Sequence, residues 1–288
     1  MIIDFRIRIP PRRQFPQGEA AMAEMPGFVQ RYQALYKEAL QTNWGDEDLL
    51  AAMEAAGITR GVLQAEFEFG DYRALNWAVQ EMAQRYPDHF IGYCTVDPAA
   101  DDDMVAVVSE AVEEHGMRGV NLQPWAYRVK ANDRRFYPLY ARCAELGLPV
   151  TVHTGVNFST DRSIDFGRPL YLDQVACDFP ELVLVANHGG WPWVAEMMAV
   201  AWKHPQVYVE IGGIAPKYLA LPGSGWETLM QFANSVLQDQ VLFATDWPLI
   251  PFDRAVCEFN QLPLKESVKE KILYKNAARL LGLNEGRG

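Results

Sequence analysis

Strand-like apolar runs and helix-like stretches alternate eight times along the 288 residues of this chain. Few architectures accept that order. A parallel strand needs a crossover to return to the same end of its sheet, and a helix is the usual crossover. IIDFRIRI reads as the first strand. A Pro- and aromatic-containing segment follows at 10–45, before DEDLLAAMEAAG opens the first helix. ITRGVLQAE, FIGYCTV, MRGVNLQ, PVTVH, LVLVANH, VYVEIG and VLFATD read as strands two to eight. Helix-like stretches such as DYRALNWAVQEMAQRY and WVAEMMAVAWKH separate them, and SVKEKILYKNAARLLGL is the helix of the eighth unit. Each interval fits one strand, one helix and two short loops. The pattern predicts an α/β fold: a single-domain (β/α)8 TIM barrel over 1–288, with an insertion at 10–45 after strand one. About 250 residues suffice for such a barrel. The alternative is an open doubly wound sheet. Ligand-type residues at several successive strand ends favour closure.

Those strand ends are Arg8, Glu66, Asp97, Gln123, His153, His188, Glu210 and Asp246. A parallel barrel builds its active site from the C-terminal ends of its strands. Thr151 and His153 share one strand face, which suits the mouth of the lumen. His188 precedes Gly189 and Gly190, which let the backbone turn sharply. Asp246 sits before Trp247 and Pro248, and a carboxylate buried there needs a cation, a metal or a donor. It can bind a metal or take a proton from water. Arg6 and Arg8 are two apart on a strand and project to the same side. Two guanidinium groups make a bidentate clamp for a carboxylate or phosphate. The competing reading has Glu66 or Glu210 neutralise them.

IIDFRIR, VHTG, NHGG, ATDWP and NAARLLGL, in that order, resemble the amidohydrolase superfamily along the whole chain. They are most similar to its amidohydrolase-2 branch of metal-dependent hydrolases, lactonases and aminocarboxymuconate-semialdehyde-type decarboxylases. The resemblance implies a (β/α)8 barrel with one divalent metal ion, zinc being the expectation. It implies His153 and Asp246 as metal ligands and Asp246 as proton shuttle. It implies His188 as a contact to substrate or activated water, and as a further ligand. The chain departs from the family at strand one, where Arg6 and Arg8 replace H-x-H. Arginine keeps its charge and does not ligate metals. The remaining set falls short of the three protein ligands usual for catalytic zinc, unless Glu66 or Glu210 completes it. An arginine clamp and a bound cation also repel each other.

Charge and motifs narrow the function. Lys and Arg total 26 against 37 Asp and Glu, a net charge of −11. Nucleic acid and anionic membranes call for a basic face, so neither is an expected partner. The four cysteines form no C-x-x-C pair and suit reduced thiols in a cytoplasmic protein. The start is apolar for only three residues before Asp4, unlike a signal peptide. No apolar run approaches the roughly 20 residues of a membrane span. G-x-S-x-G, H-E-x-x-H, P-loop and G-x-G-x-x-G motifs are absent. The expected activity is hydrolysis of a lactone, ester or amide in a small carboxylated, cyclic substrate. Asp246 takes a proton from water, His188 steadies the oxyanion, and Arg6 and Arg8 orient the carboxylate, with Glu66 and Glu210 beside them. The alternatives are a carboxy-lyase of an aromatic or muconate-type acid, and a catalytically reduced binding protein. The insertion carries Phe15, Phe28, Tyr32, Tyr36 and Trp44. They suit either a lid over the mouth or a subunit contact in a homodimer.

Overall fold

The computed structural model describes residues 1–14, 44–67, 71–100 and 103–283. Phe15, Phe28, Tyr32 and Tyr36 lie outside the described residues, and with them the lid and subunit-contact readings. Eight parallel strands alternate with helices. They are β1 (Ile2–Ile7), β2 (Ile58–Gln64), β3 (Phe90–Tyr93), β4 (Val120–Leu122), β5 (Val150–His153), β6 (Leu184–Asn187), β7 (Val207–Glu210) and β8 (Val241–Leu242). Ladder pairing gives two sheets, β1 to β3 and β4 to β8. Both seams between them are bridged. Ile7 pairs with Trp247 and Cys94 with Val120, each in parallel. At the first seam the Phe5 amide donates to the Phe243 carbonyl at 2.9 Å, and the Asp246 amide to the Arg6 carbonyl at 3.0 Å. At the second, the Asn121 amide donates to the Cys94 carbonyl at 2.7 Å. The strands therefore form one ring, the barrel anticipated from the alternation.

Helices α1 (Asp46–Ala55), α2 (Tyr72–Arg85), α3 (Met104–Glu113), α4 (Tyr137–Leu146), α5 (Leu170–Asp178), α6 (Val194–Lys203) and α7 (Glu227–Ala233) make the outer layer. Local sequence sets their limits. Asp71 and Asp103 cap α2 and α3 by accepting from the amides of Arg73 and Val105. Gly147 ends α4 at φ 64°, a conformation that favours glycine. On α2, Tyr72, Leu75, Val79 and Met82 recur at helical spacing and are all buried against the sheet. No helix among the described residues is long and apolar enough to cross a membrane.

The eighth unit differs from expectation. The helix that follows strand eight is α8 (Phe252–Asn260). The C-terminal segment is a further element, divided into Glu266–Glu270, a π-helical turn at Lys271–Lys275 and Asn276–Leu280. Strand eight is also shorter than VLFATD suggests. Its amides find other acceptors: Phe243 donates to the Ile272 carbonyl of the π turn at 3.0 Å, and Thr245 to Asp4 Oδ1 at 3.0 Å.

The lumen follows strand parity, with one break. Ile3 and Phe5 pack inside with Val62, Ile91, Tyr93, Val185, Leu242 and Ala244. Ile7 and Ile9 pack in the other, larger cluster, and Arg6 and Arg8 take the inward positions. A register shift between Asp4 and Ile7 permits the change of face. Asp4 holds it by accepting from the Arg6 amide at 3.1 Å and from the hydroxyl of Thr245 at 2.5 Å. Burial pushes the Asp4 carboxyl up to about 7, against the hydrogen bonds that it accepts.

Candidate active site

At the C-terminal ends of the strands, Arg6, Arg8, His153, His188 and Asp246 converge on a cavity of about 370 Å³. Its walls are largely aromatic: Trp125, Phe158, Trp191, Tyr218 and Trp226, with Ile214 and Leu249. Glu66, Gln123 and Glu210 are buried behind this floor. Asp97 is not part of it and accepts a local bond from the Ala99 amide.

Arg6 is the hub, and its side chain is buried. Its Nε donates to Asp246 Oδ1 at 3.0 Å, and Nη1 to Gln64 Oε1 at 2.6 Å. Nη2 pairs with Glu66 Oε1 at 2.5 Å. With the Asn187 amide oriented to suit its neighbours, its oxygen accepts from Nη1 at 2.7 Å and its nitrogen donates to Glu210 at 3.2 Å. Burial works against the Arg6 charge, but Glu66, Asp246 and Glu210 outweigh it and hold its pKa above the usual arginine value. Every arm of this guanidinium is thus committed inside the protein. For Arg6 the structure favours neutralisation over the substrate clamp. Arg8 differs: its side chain is 11% exposed and donates to Asp246 from Nε at 3.1 Å and Nη2 at 3.5 Å. Of the two arginines, Arg8 is the one that can turn toward a ligand.

The histidines are neutral. Burial first, then His188, Arg6 and Arg8, push His153 well below its ordinary pKa. Burial first and then Arg6 do the same to His188. His188 Nδ1 lies 2.9 Å from the Gly212 carbonyl, so that nitrogen carries the proton and Nε2 keeps a lone pair. The two rings meet edge to face with centroids 4.7 Å apart, and Trp125 packs on His153 at 5.8 Å. Burial pushes the Glu210 carboxyl up to about 8, against the pull of Arg6.

The backbone is shaped for this arrangement. His188 at φ 62° and Asp246 at φ 58° both adopt the left-handed conformation without being glycine. Each costs of order 1–3 kcal/mol, and such strain clusters at functional sites. Gly213 must stay small, since a Cβ there would lie 2.9 Å from His188 Nδ1 and 3.1 Å from Asp246 Oδ2.

Several contributors escaped the sequence reading. Gln64, Asn121 and Asn187 join Thr151, whose inward face the sequence does show, in a polar layer beneath Arg6, with Thr151 Oγ1 donating to Asn121 Oδ1 at 2.9 Å. Gln64 and Asn121 stand two residues before the strand ends Glu66 and Gln123, an inward parity that could have found them, whereas Asn187 directly precedes His188 and follows no such spacing. The wall tryptophans come from the connections after the strands, Trp125 from a single helical turn at Pro124–Tyr127, and these carry no such period.

The donor set does not fit a divalent ion at the mouth. His153 Nδ1 is buried without a hydrogen-bond partner among the described residues, one donor that would accept a cation. The Asp246 carboxylate is paired with two guanidinium groups, those of Arg6 and Arg8. Among the described residues, sets of three converging His, Cys, Asp or Glu donors occur only on the outer helices, at Asp173, Cys177 and His204 and at Glu110, Glu114 and His115.

Fold and site together define a barrel protein with a polar, acid–base floor at its strand ends. The chain belongs to the amidohydrolase family, whose amidohydrolase-2 profile matches residues 4–283. An uncharacterized TIM-barrel protein from Bordetella bronchiseptica is 35% identical, with a TM-score of 0.78 and 98% of each chain covered. A 5-carboxyvanillate decarboxylase from Novosphingobium aromaticivorans, solved with manganese and a nitrobenzoic acid, is 17% identical, with a TM-score of 0.70 over 98% of this chain and 96% of that one. A 2-keto-4-carboxy-3-hexenedioate hydratase from Sphingobium is 27% identical over 137 residues. That match spans 41% of this chain and 40% of the hydratase. Members of the family are thus enzymes, and the two relatives with a named activity are a decarboxylase and a hydratase rather than hydrolases. Manganese, not zinc, is the metal named with the decarboxylase.

Proposed function

We propose that this protein is a carboxy-lyase that removes carbon dioxide from a small planar aromatic or muconate-type acid. The observation that carries the reading is the cavity itself, aromatic on its walls and charged only on its floor. A flat ring fits between Trp125, Phe158, Trp191 and Trp226. Arg8 anchors an anionic or hydroxyl substituent at the floor. The carboxylate to be lost then faces apolar wall, where its charge is poorly solvated and its departure as neutral carbon dioxide is favoured. The C–COO⁻ bond breaks, its electron pair stays on the ring carbon, and that carbon takes a proton. Asp246, reloaded from water, is the shuttle placed to deliver it. No step is assigned to a metal, zinc included, because the donor set at the mouth does not fit one. Four free thiols support a cytoplasmic setting.

Hydrolysis of a cyclic ester is the second reading. One observation favours it: His188 is neutral with its Nδ1 proton fixed on Gly212, so its Nε2 is an acceptor suited to activating water. One experiment separates the two. A panel of hydroxybenzoates, muconate-type acids and their lactones is incubated with the protein in deuterated or ¹⁸O-labelled water. The lyase releases carbon dioxide and puts deuterium on carbon. The hydrolase puts ¹⁸O into a new carboxylate. Product without carbon dioxide overturns the first reading.

A further inference from the structure

We infer that Asp173, Cys177 and His204 form a zinc site on the outer helix layer, at the foot of the barrel away from the mouth. Asp173 and Cys177 are four residues apart on α5, so one helix face presents both. His204 is the residue that ends α6, three before the start of β7. Asp173 Oδ1 lies 2.7 Å from His204 Nε2, and Cys177 Sγ lies 4.0 Å from that same nitrogen. The three donor atoms fall within 4.8 Å of one another. Bonds of about 2.0–2.3 Å close such a triangle with small side-chain adjustments, leaving water as fourth ligand. One thiolate, one imidazole and one carboxylate form a mixed set that suits zinc better than calcium or magnesium.

The cluster already gathers a cation. Lys203 Nζ lies 2.7 Å from Asp173 Oδ1 and 3.7 Å from Cys177 Sγ. The Lys203 side chain is 55% exposed, so an arriving ion displaces it into water at little cost. The access route is open, because Cys177 is exposed. At the foot of the barrel the ion braces α5 against α6 and takes no part in chemistry, since catalysis in this fold belongs to the other end. The inference is therefore independent of the reaction proposed for the mouth.

Cobalt(II) is the probe, added to the reduced, chelator-stripped full chain. The expected result is one equivalent bound, with a thiolate-to-cobalt charge-transfer band and visible bands of four-coordinate intensity. Cys177→Ser abolishes the charge-transfer band, whereas Cys257→Ser and Asp246→Asn retain it. Asp173→Asn keeps the band at weaker affinity, and serves if Cys177→Ser fails to fold. Lys203→Met tightens binding roughly two- to fivefold, the weight of one exposed ion pair. Zinc raises the melting temperature of the native chain and not of Cys177→Ser. No thiolate band in the native chain at saturating cobalt, or a band that survives Cys177→Ser, overturns the assignment. Visible cobalt bands that carry no thiolate component and are lost in Asp246→Asn place the ion at the mouth, where no cysteine lines the cavity, and overturn it equally.

Discussion

Arg6 and Arg8 share a strand face and differ in everything that follows from burial. Removing the Arg6 charge leaves Glu66 buried without its cation and Asp246 with Arg8 alone, a loss of roughly 3–5 kcal/mol. Arg6→Met is therefore expected to unfold at much lower urea, while Arg8→Met keeps most of its stability. In turn, Arg8→Met should weaken binding of a hydroxybenzoate by about tenfold, the worth of a charge-assisted hydrogen bond. Quenching of tryptophan fluorescence reads the affinity, and an unchanged value removes Arg8 from the ligand. Asp246→Asn should abolish turnover with the fold intact by circular dichroism. Beside Asp4, Glu210 supplies a share of the pH dependence. It titrates at about 8 when folded, against an ordinary 4.5. Between those values the native state holds a proton that the unfolded chain has released, so stability falls as pH rises. This contribution is complete below about pH 4.5 and gone above about 8, with a slope of at most about 1.4 kcal/mol per pH unit. Asp4, raised to about 7, acts in the same sense, so Glu210→Gln should lower the slope in urea melts run from pH 4.5 to 8 and remove most of it between about 7 and 8.

At the level of elements, β1 shows what alternation could and could not convey. Arg6 and Arg8 were readable as a same-face pair, and His153, His188 and Asp246 as neighbours at the mouth. Ile3 and Phe5 also face the lumen, which strict period-two reading forbids. The bulge held by Asp4 reconciles them, and its partner Thr245 lies just past β8, 241 residues away in sequence. The eighth unit was misassigned for a related reason. The helical period of the C-terminal stretch is real, yet α8 precedes it and its own π turn serves the amide of Phe243. Long-range hydrogen bonds of this kind leave no local pattern. Asp4→Ala would strand the Arg6 and Thr245 amides, at about 1–3 kcal/mol for each buried donor. The expected outcome is a lower urea midpoint with turnover reduced as well, since Arg6 and Asp246 flank the bulge. Unaltered turnover in the folded fraction would show that the bulge does not position the floor.

Across the whole molecule, the barrel was legible because eight strand–helix units leave few alternatives. The site's location followed from the same parse. Its charge balance did not follow, because it depends on which guanidinium is enclosed and which carboxylate meets it. The family resemblance suggested a zinc ion, but the floor is organised around the two arginine charges that meet Asp246. Prolonged dialysis against a chelator is accordingly expected to leave turnover at the mouth unchanged. A loss that manganese restores would reverse that conclusion.

The two seams of the ring carry a consequence for engineering. A break in the chain near residue 103 separates the three-stranded sheet from the five-stranded one. The first piece carries both arginines, Gln64 and Glu66; the second carries both histidines, Glu210 and Asp246. Neither half owns a working floor, so the pair would report its own reassembly as a split enzyme, silent apart and active only when the halves meet.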